Sequence, residues 1–122
     1  MSSDSIVKCK SMDFAKRIVR LYQFLEAEHR EFILSKQILR SGTSIGANIS
    51  EALYGSSRKD FIAKLQIAEK EAAETLYWLE LLNRCEYLPD NLFRSLQKDC
   101  TELISILAAT IKSSKSRIKI ED

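Results

Sequence analysis

The sequence predicts an all-α protein, an antiparallel up-down four-helix bundle built as one domain over residues 1–122. Three observations carry that expectation. Only one proline and three glycines occur in 122 residues, against an abundance of Leu, Ile, Ala, Glu and Lys, a composition that favours long helices over turn-rich sheets. Four segments place apolar residues three and four apart, which puts them on one face of a helix. The breaks between those segments are short, so each helix must return alongside its predecessor.

In the first segment Phe14, Ile18, Leu21, Tyr22 and Leu25 form the apolar face, with Lys16, Arg17, Arg20 and Gln23 opposite, and the helix ends near His29. Residues 1 to about 10 precede the stripe and are expected to be a flexible N-terminus. A second helix from about Glu31 to Leu53 carries Leu34, Ile38, Ile45, Ile49 and Leu53, through a stretch containing Gly42 and Gly46. Ser56 or Ser57 supplies an N-cap for the third helix, because a serine hydroxyl accepts from a free N–H of the first turn. From Phe61 through Leu65, Ala68, Ala72, Leu76, Leu79 and Leu82 the third seam runs unbroken to about Cys85. Pro89 marks the entry to a fourth helix, where a missing N–H costs nothing. Leu92, Leu96, Cys100, Leu103, Leu107 and Ile111 face its core. Beyond Ile111 the apolar pattern dissolves, and residues from about 112 to 122 are expected to form a frayed basic tail.

The second helix carries another stripe. Gln37, Ser41, Ser44, Asn48 and Glu51 follow at spacings of four, three, four and three, next to the apolar face. Small uncharged residues there point to close contact with another helix, since a purely solvated face favours Lys and Glu. The third helix has a matching stripe of Ile67, Glu71, Glu74, Trp78 and Leu81. Antiparallel register sets Glu71 opposite Arg40 and Ser41, and Glu74 opposite Gln37. An interhelical network results, in which Glu71 or Glu74 accepts from Arg40, Gln37 or Ser41.

The run from Gln37 through Leu82 resembles the signature of the 23S ribosomal RNA intervening-sequence protein family. The matching positions are Gln37, Arg40, Ser41, Ser44, Asn48, Glu51, Asp60, Phe61, Glu74, Trp78 and Leu79. The similarity is close over the two middle helices and holds only by pattern in the outer ones. It implies an antiparallel four-helix bundle and, in structurally known relatives, a ring-shaped homopentamer. A related branch comprises accessory proteins of diversity-generating retroelements, which bind nucleic acid and a reverse transcriptase through a basic surface. The family name records where some of the genes lie and establishes no activity.

Residue inventory speaks against an enzyme. His29 is the single histidine, and no Ser/His/Asp, Cys/His or phosphate-cradling glycine pattern occurs. Glu26 and His29 form one Glu-x-x-His, whereas a di-iron bundle needs two such motifs and two more glutamates. Cys9, Cys85 and Cys100 are odd in number and widely spaced, which fits neither a disulfide framework nor a zinc site. No cofactor is expected. No apolar run spans a bilayer and no signal-peptide pattern opens the chain, so the expected location is the cytoplasm.

Charge is distributed unevenly. Residues 1–50 hold eight Lys/Arg against five Asp/Glu, residues 51–111 seven against ten, and residues 112–122 four against two. The candidate nucleic-acid-binding residues are Lys8, Lys10, Lys16, Arg17 and Arg20 on the first helix and Lys112, Lys115, Arg117 and Lys119 at the other end of the chain. Because helices one and four are neighbours in an up-down bundle, the two clusters would merge into one phosphate-binding patch. No aromatic interleaving among them suggests base stacking, since Phe14 belongs to the apolar face. The competing reading is a scaffold or adaptor that binds protein and no nucleic acid. Ile62, Ala73 and Tyr77 lie off the main seam of helix three, and such additional apolar surface predicts self-association.

Overall fold

The computed structural model describes the backbone of residues 3–121 and the side chains of residues 6–118. Four helices account for the fold: α1 (Ser3–His29), α2 (Leu34–Leu53), α3 (Arg58–Arg84) and α4 (Asp90–Glu121). Each packs on the next in the chain, and α1 and α4 close the ring with the least extensive contact; no diagonal pair touches among the described residues. This is the up-down bundle that short connections require.

Each break is built by specific backbone chemistry. At the end of α1, Arg30 takes a left-handed conformation with φ 51°, and the Glu31 N–H reaches back to the Leu25 carbonyl at 3.0 Å. The Glu31 side chain then caps α2. Its carboxylate accepts from the N–H groups of Ile33 at 2.8 Å, Leu34 at 2.6 Å and Ser35 at 3.4 Å. Three of the four donors that a helix start leaves free are thereby satisfied by one anion, at the end where the helix dipole favours it. Helix α2 consequently begins at Leu34, with Glu31 outside it.

Ser57, rather than Ser56, is the N-cap of α3, accepting from the Asp60 N–H at 3.1 Å. The helix ends in a Schellman motif: Glu86 sits at φ 66°, its N–H donates to Asn83 O at 3.0 Å, and the Tyr87 N–H donates to Leu82 O at 2.9 Å. Pro89 stands just before α4, its carbonyl accepting the first helical bond from Phe93 at 2.9 Å. The two amide hydrogens of Asn83 stitch this turn to Leu88 O at 2.9 Å and to Asp90 Oδ1 at 2.8 Å.

The core contains most of the predicted stripes, including Phe14, Ile18, Leu25, Ile38, Ile45, Ile49, Leu65, Leu79 and Leu82, whereas Tyr22 and Leu53 are only half-buried and lie outside it. Ile62 belongs to it as well, although it lies off the main seam of α3. Both terminal segments differ from expectation, because residues 3–10 and 112–121 are helical. The reason is the same at each end. Val7, Ser11 and Phe14 continue the core face of α1, and Ile111, Ser114 and Ile118 continue that of α4, with a buried serine in the middle of each triplet. Ser11 is accommodated because its hydroxyl donates to the Lys8 carbonyl at 2.9 Å, within its own helix.

Candidate nucleic-acid interface

The basic residues of α1 divide according to which neighbour their helix face meets. Lys10 and Arg17 face α4. The Lys10 ammonium pairs with Glu102, while Arg17 donates through Nη1 to Asp99 Oδ2 at 2.6 Å and through Nη2 to Ser95 Oγ at 2.9 Å. Hydrogen bonding to Glu102, followed by its charge, holds the Lys10 pKa above the usual lysine value. These side chains fasten the α1–α4 seam, so two of the nine candidate cations are neutralised by acids of the adjoining helix.

Lys16 and Arg20 are exposed, one turn apart, and make no ion pair among the described residues. Lys8 lies on the opposite flank of α1, in a groove shared with Met12, Ala15, Thr43, Gly46 and Ala47. On α4, Lys112 and Lys115 border the edge toward Glu69 of α3, whereas Arg117 lines a different depression with Phe61 and Thr110. The Lys119 side chain lies outside the described residues. The start of α1 and the end of α4 share one end of the bundle, and among the described residues Arg20, Lys8, Lys112 with Lys115, and Arg117 border different grooves.

Between α1 and α4 lies a cleft of about 230 Å³, lined by Arg17, Arg20, Leu21, Phe24, Leu92 and Leu96. The Phe24 ring makes an edge contact with His29 at 5.3 Å, and His29 makes another with Tyr87 at 5.3 Å. His29, read from sequence as half of a Glu-x-x-His motif, is thus an element of an aromatic row. Among the described residues no group of His, Cys, Asp and Glu is arranged to hold a metal ion.

The α2–α3 interface is tied differently from the expected network. A buried cross-helix hydrogen bond joins the hydroxyls of Ser41 and Thr75 at 3.0 Å, and Thr75 Oγ1 also lies 2.8 Å from the Glu71 carbonyl oxygen. Thr75 escaped the sequence reading; its signal was a polar residue inside the apolar seam between Ala72 and Leu79. Arg40 and Glu71 do face each other, but at 3.8 Å, beyond hydrogen-bonding range, and the Glu71 Oε2 atom is buried without a hydrogen-bond partner among the described residues.

Of the remaining network candidates, Glu51 also pairs across the interface, whereas Glu74, Ser44 and Asn48 bond within their own helices. Glu74 accepts from Trp78 Nε1 at 3.0 Å in its own helix. Ser44 donates to Arg40 O at 2.6 Å, and Asn48 donates to Ser44 O at 2.9 Å. Glu51 pairs with Lys64 at 3.3 Å, and Gln37 is exposed. The physical reason is reach: short side chains on a helix find the carbonyl one turn back before they find a neighbouring helix. Gly42 and Gly46 face α1 instead, where an added Cβ would stand 2.8 Å from Ile18 Cγ1 and 3.3 Å from Ser11 Oγ, respectively.

A family model described as 23S rRNA-intervening sequence protein matches residues 3–109. Residues 112–122, with their four basic side chains, fall beyond the matched region. Among solved structures, the chain is similar to the crystal structure of a protein with unknown function from the S23 ribosomal protein family of Bacteroides thetaiotaomicron. Their sequence identity is 58%, the TM-score is 0.90, and the likeness covers 91% of this chain and 99% of that one. No curated protein matches the chain. No helix among the described residues is long and apolar enough to cross a membrane.

Proposed function

The chain belongs to the family of 23S rRNA-intervening sequence proteins, and on that premise we propose that it is a non-catalytic, self-associating bundle that binds RNA electrostatically through the outer face of α1. The observation that carries this reading is the pair Lys16 and Arg20. They stand exposed on one helical face without acidic partners among the described residues, free to meet phosphates. Lys8, Lys112, Lys115, Arg117 and Lys119 add weaker, dispersed contacts, and Lys10 and Arg17 act mainly in closing α1 onto α4.

Self-association is supported by the outer face of α3, where Ile67 is 42% and Tyr77 58% exposed. Its finer form, the homopentameric ring that the family resemblance implies, would repeat the α1 surface and raise affinity by avidity. The retroelement accessory proteins provide a precedent, by resemblance, for a basic bundle acting on nucleic acid in the cytoplasm.

The test is titration of structured RNA against salt, read by fluorescence anisotropy. Affinity should fall steeply with salt, and Lys16→Gln with Arg20→Gln should lower the log–log slope by roughly 1.4–1.8, at about 0.7–0.9 per lost phosphate contact. Binding that ignores these substitutions, together with capture of a protein partner that survives nuclease treatment, would favour the scaffold reading and remove this one.

A further inference from the structure

We propose that the cleft between α1 and α4 receives one unstacked base of single-stranded or looped RNA, with Phe24 supplying a ring face and Arg20 a guanidinium plane. The proposal rests on the RNA-binding reading and extends it from charge to base recognition. The cleft is about 230 Å³, below the ~300–1,000 Å³ typical of drug-sized ligands, and suits a single planar ring system. Its floor is apolar, formed by Leu21, Leu92 and Leu96. A heterocyclic base, apolar on its faces and polar at its edges, matches such a floor beneath a charged rim.

The rim is preorganised on one side and adaptable on the other. Arg17 is held by Asp99 and Ser95 at 2.6 and 2.9 Å, so its guanidinium forms a fixed wall. Arg20 has no acidic partner among the described residues and can close over a base. Arginine planes and aromatic rings are the groups on which proteins stack single-stranded bases. The Phe24 ring is held by an edge contact with His29, itself in edge contact with Tyr87, which limits the side-chain freedom to be lost on binding. Lys16 stands one helical turn before Arg20, within reach of a phosphate flanking an inserted base. Charge complementarity thus selects a polyanion over an apolar peptide, since Asp99 offsets Arg17 alone.

Sequence spacing concealed the site because its lining is contributed by both α1 and α4, and the aromatic residue between Lys8 and Arg20, Phe14, is turned into the core.

The experiment compares single-stranded RNA carrying 2-aminopurine with fully paired RNA of equal length, using the full chain. Phe24→Leu keeps an apolar side chain but removes the ring face. Arg20→Lys keeps the charge but removes the plane. Each should weaken single-strand binding by roughly 5- to 150-fold, the worth of one base stack at tenfold per 1.4 kcal/mol; Phe24→Leu should leave the salt slope and duplex binding unchanged, and Arg20→Lys, which retains the charge, should leave the salt slope unchanged. The 2-aminopurine signal should report unstacking with the native chain and lose it with either variant. Lys16→Gln should instead weaken both RNAs and reduce the slope. Thermal melting monitors folding of Phe24→Leu, and exposed Arg20 keeps the test decisive if that variant fails to fold. Single-strand affinity unmoved by either change overturns the cleft while leaving electrostatic binding in place; absence of RNA binding by the native chain overturns both. A change in sedimentation with Phe24→Leu, without a change in RNA affinity, assigns the cleft to a second copy and also overturns the proposal.

Discussion

Gly42→Ala should destabilise the bundle, although alanine is the better helix former. In a helix interior the substitution gains about 1 kcal/mol of propensity. Against this, the new Cβ would stand 2.8 Å from both Cγ1 and Cγ2 of Ile18 and 3.2 Å from its Cβ. Ile18 is fully buried, and its β-branched side chain has essentially one rotamer available in a helix. It cannot swing aside, so α1 and α2 must separate. Overpacking of this kind costs about 1–3 kcal/mol, leaving a net loss on the order of 1 kcal/mol and a melting temperature lower by about 3–5 °C. The assay is urea denaturation followed by circular dichroism at matched protein concentration, because assembly itself shifts stability. Two controls make the argument specific. Gly46→Ala meets only the Ser11 hydroxyl at 3.3 Å, a group that can give, so it should be neutral or stabilising. Ile18→Ala should cost about 2–5 kcal/mol in the native chain and about 1–2 kcal/mol less in the Gly42→Ala background, a coupling expected of residues in contact. If Gly42→Ala gains its full propensity and shows no coupling to Ile18, close helix approach is not what requires glycine at this position.

Other perturbations probe the turns and the buried thiol. Glu31→Ala removes the acceptor of three α2 N–H groups and should cost about 1–2 kcal/mol in chemical denaturation, with Glu31→Gln recovering part of that loss. Glu86→Gly should stabilise by roughly 0.5–1 kcal/mol, since φ 66° strains a side chain but not glycine; a lower melting temperature would contradict the αL assignment. Cys9 and Cys85 are exposed and Cys100 is buried, so native protein should take up two equivalents of iodoacetamide and unfolded protein three. Burial first, and then the charge of Asp99, push the Cys100 thiol up to about 12 from 9.0. A raised pKa stabilises the fold fully below the unfolded value, and that contribution is lost as pH rises from about 9 towards about 12. Replacing Cys100 with Ala should flatten that part of the alkaline stability profile.

Much of the bundle was legible because apolar spacing and short breaks are local properties. Ile38, Ile45 and Ile49, or Leu79 and Leu82, lie on one face of a helix whatever surrounds them, and that face must be covered. Reading apolar letters alone failed where a serine occupies a core position. Ser11 and Ser114 interrupt the pattern without interrupting the packing, so α1 and α4 extend through segments that looked like a free arm and a tail. Glu31 was placed inside α2, whereas it caps that helix from outside, a role that depends on the path of the turn at Arg30.

The amino-acid sequence by itself determined how many helices form, their direction, and the register that brings Arg40 to Glu71, because a 3.6-residue period and short loops leave few alternatives. Only the tertiary structure decided which charges remain available. Lys10, Arg17, Lys16 and Arg20 are equivalent letters on one helix, yet the first two meet Glu102 and Asp99 while the last two meet solvent. Composition specifies the charges a chain carries, whereas the rotation of each helix about its own axis specifies which of them a neighbouring helix neutralises.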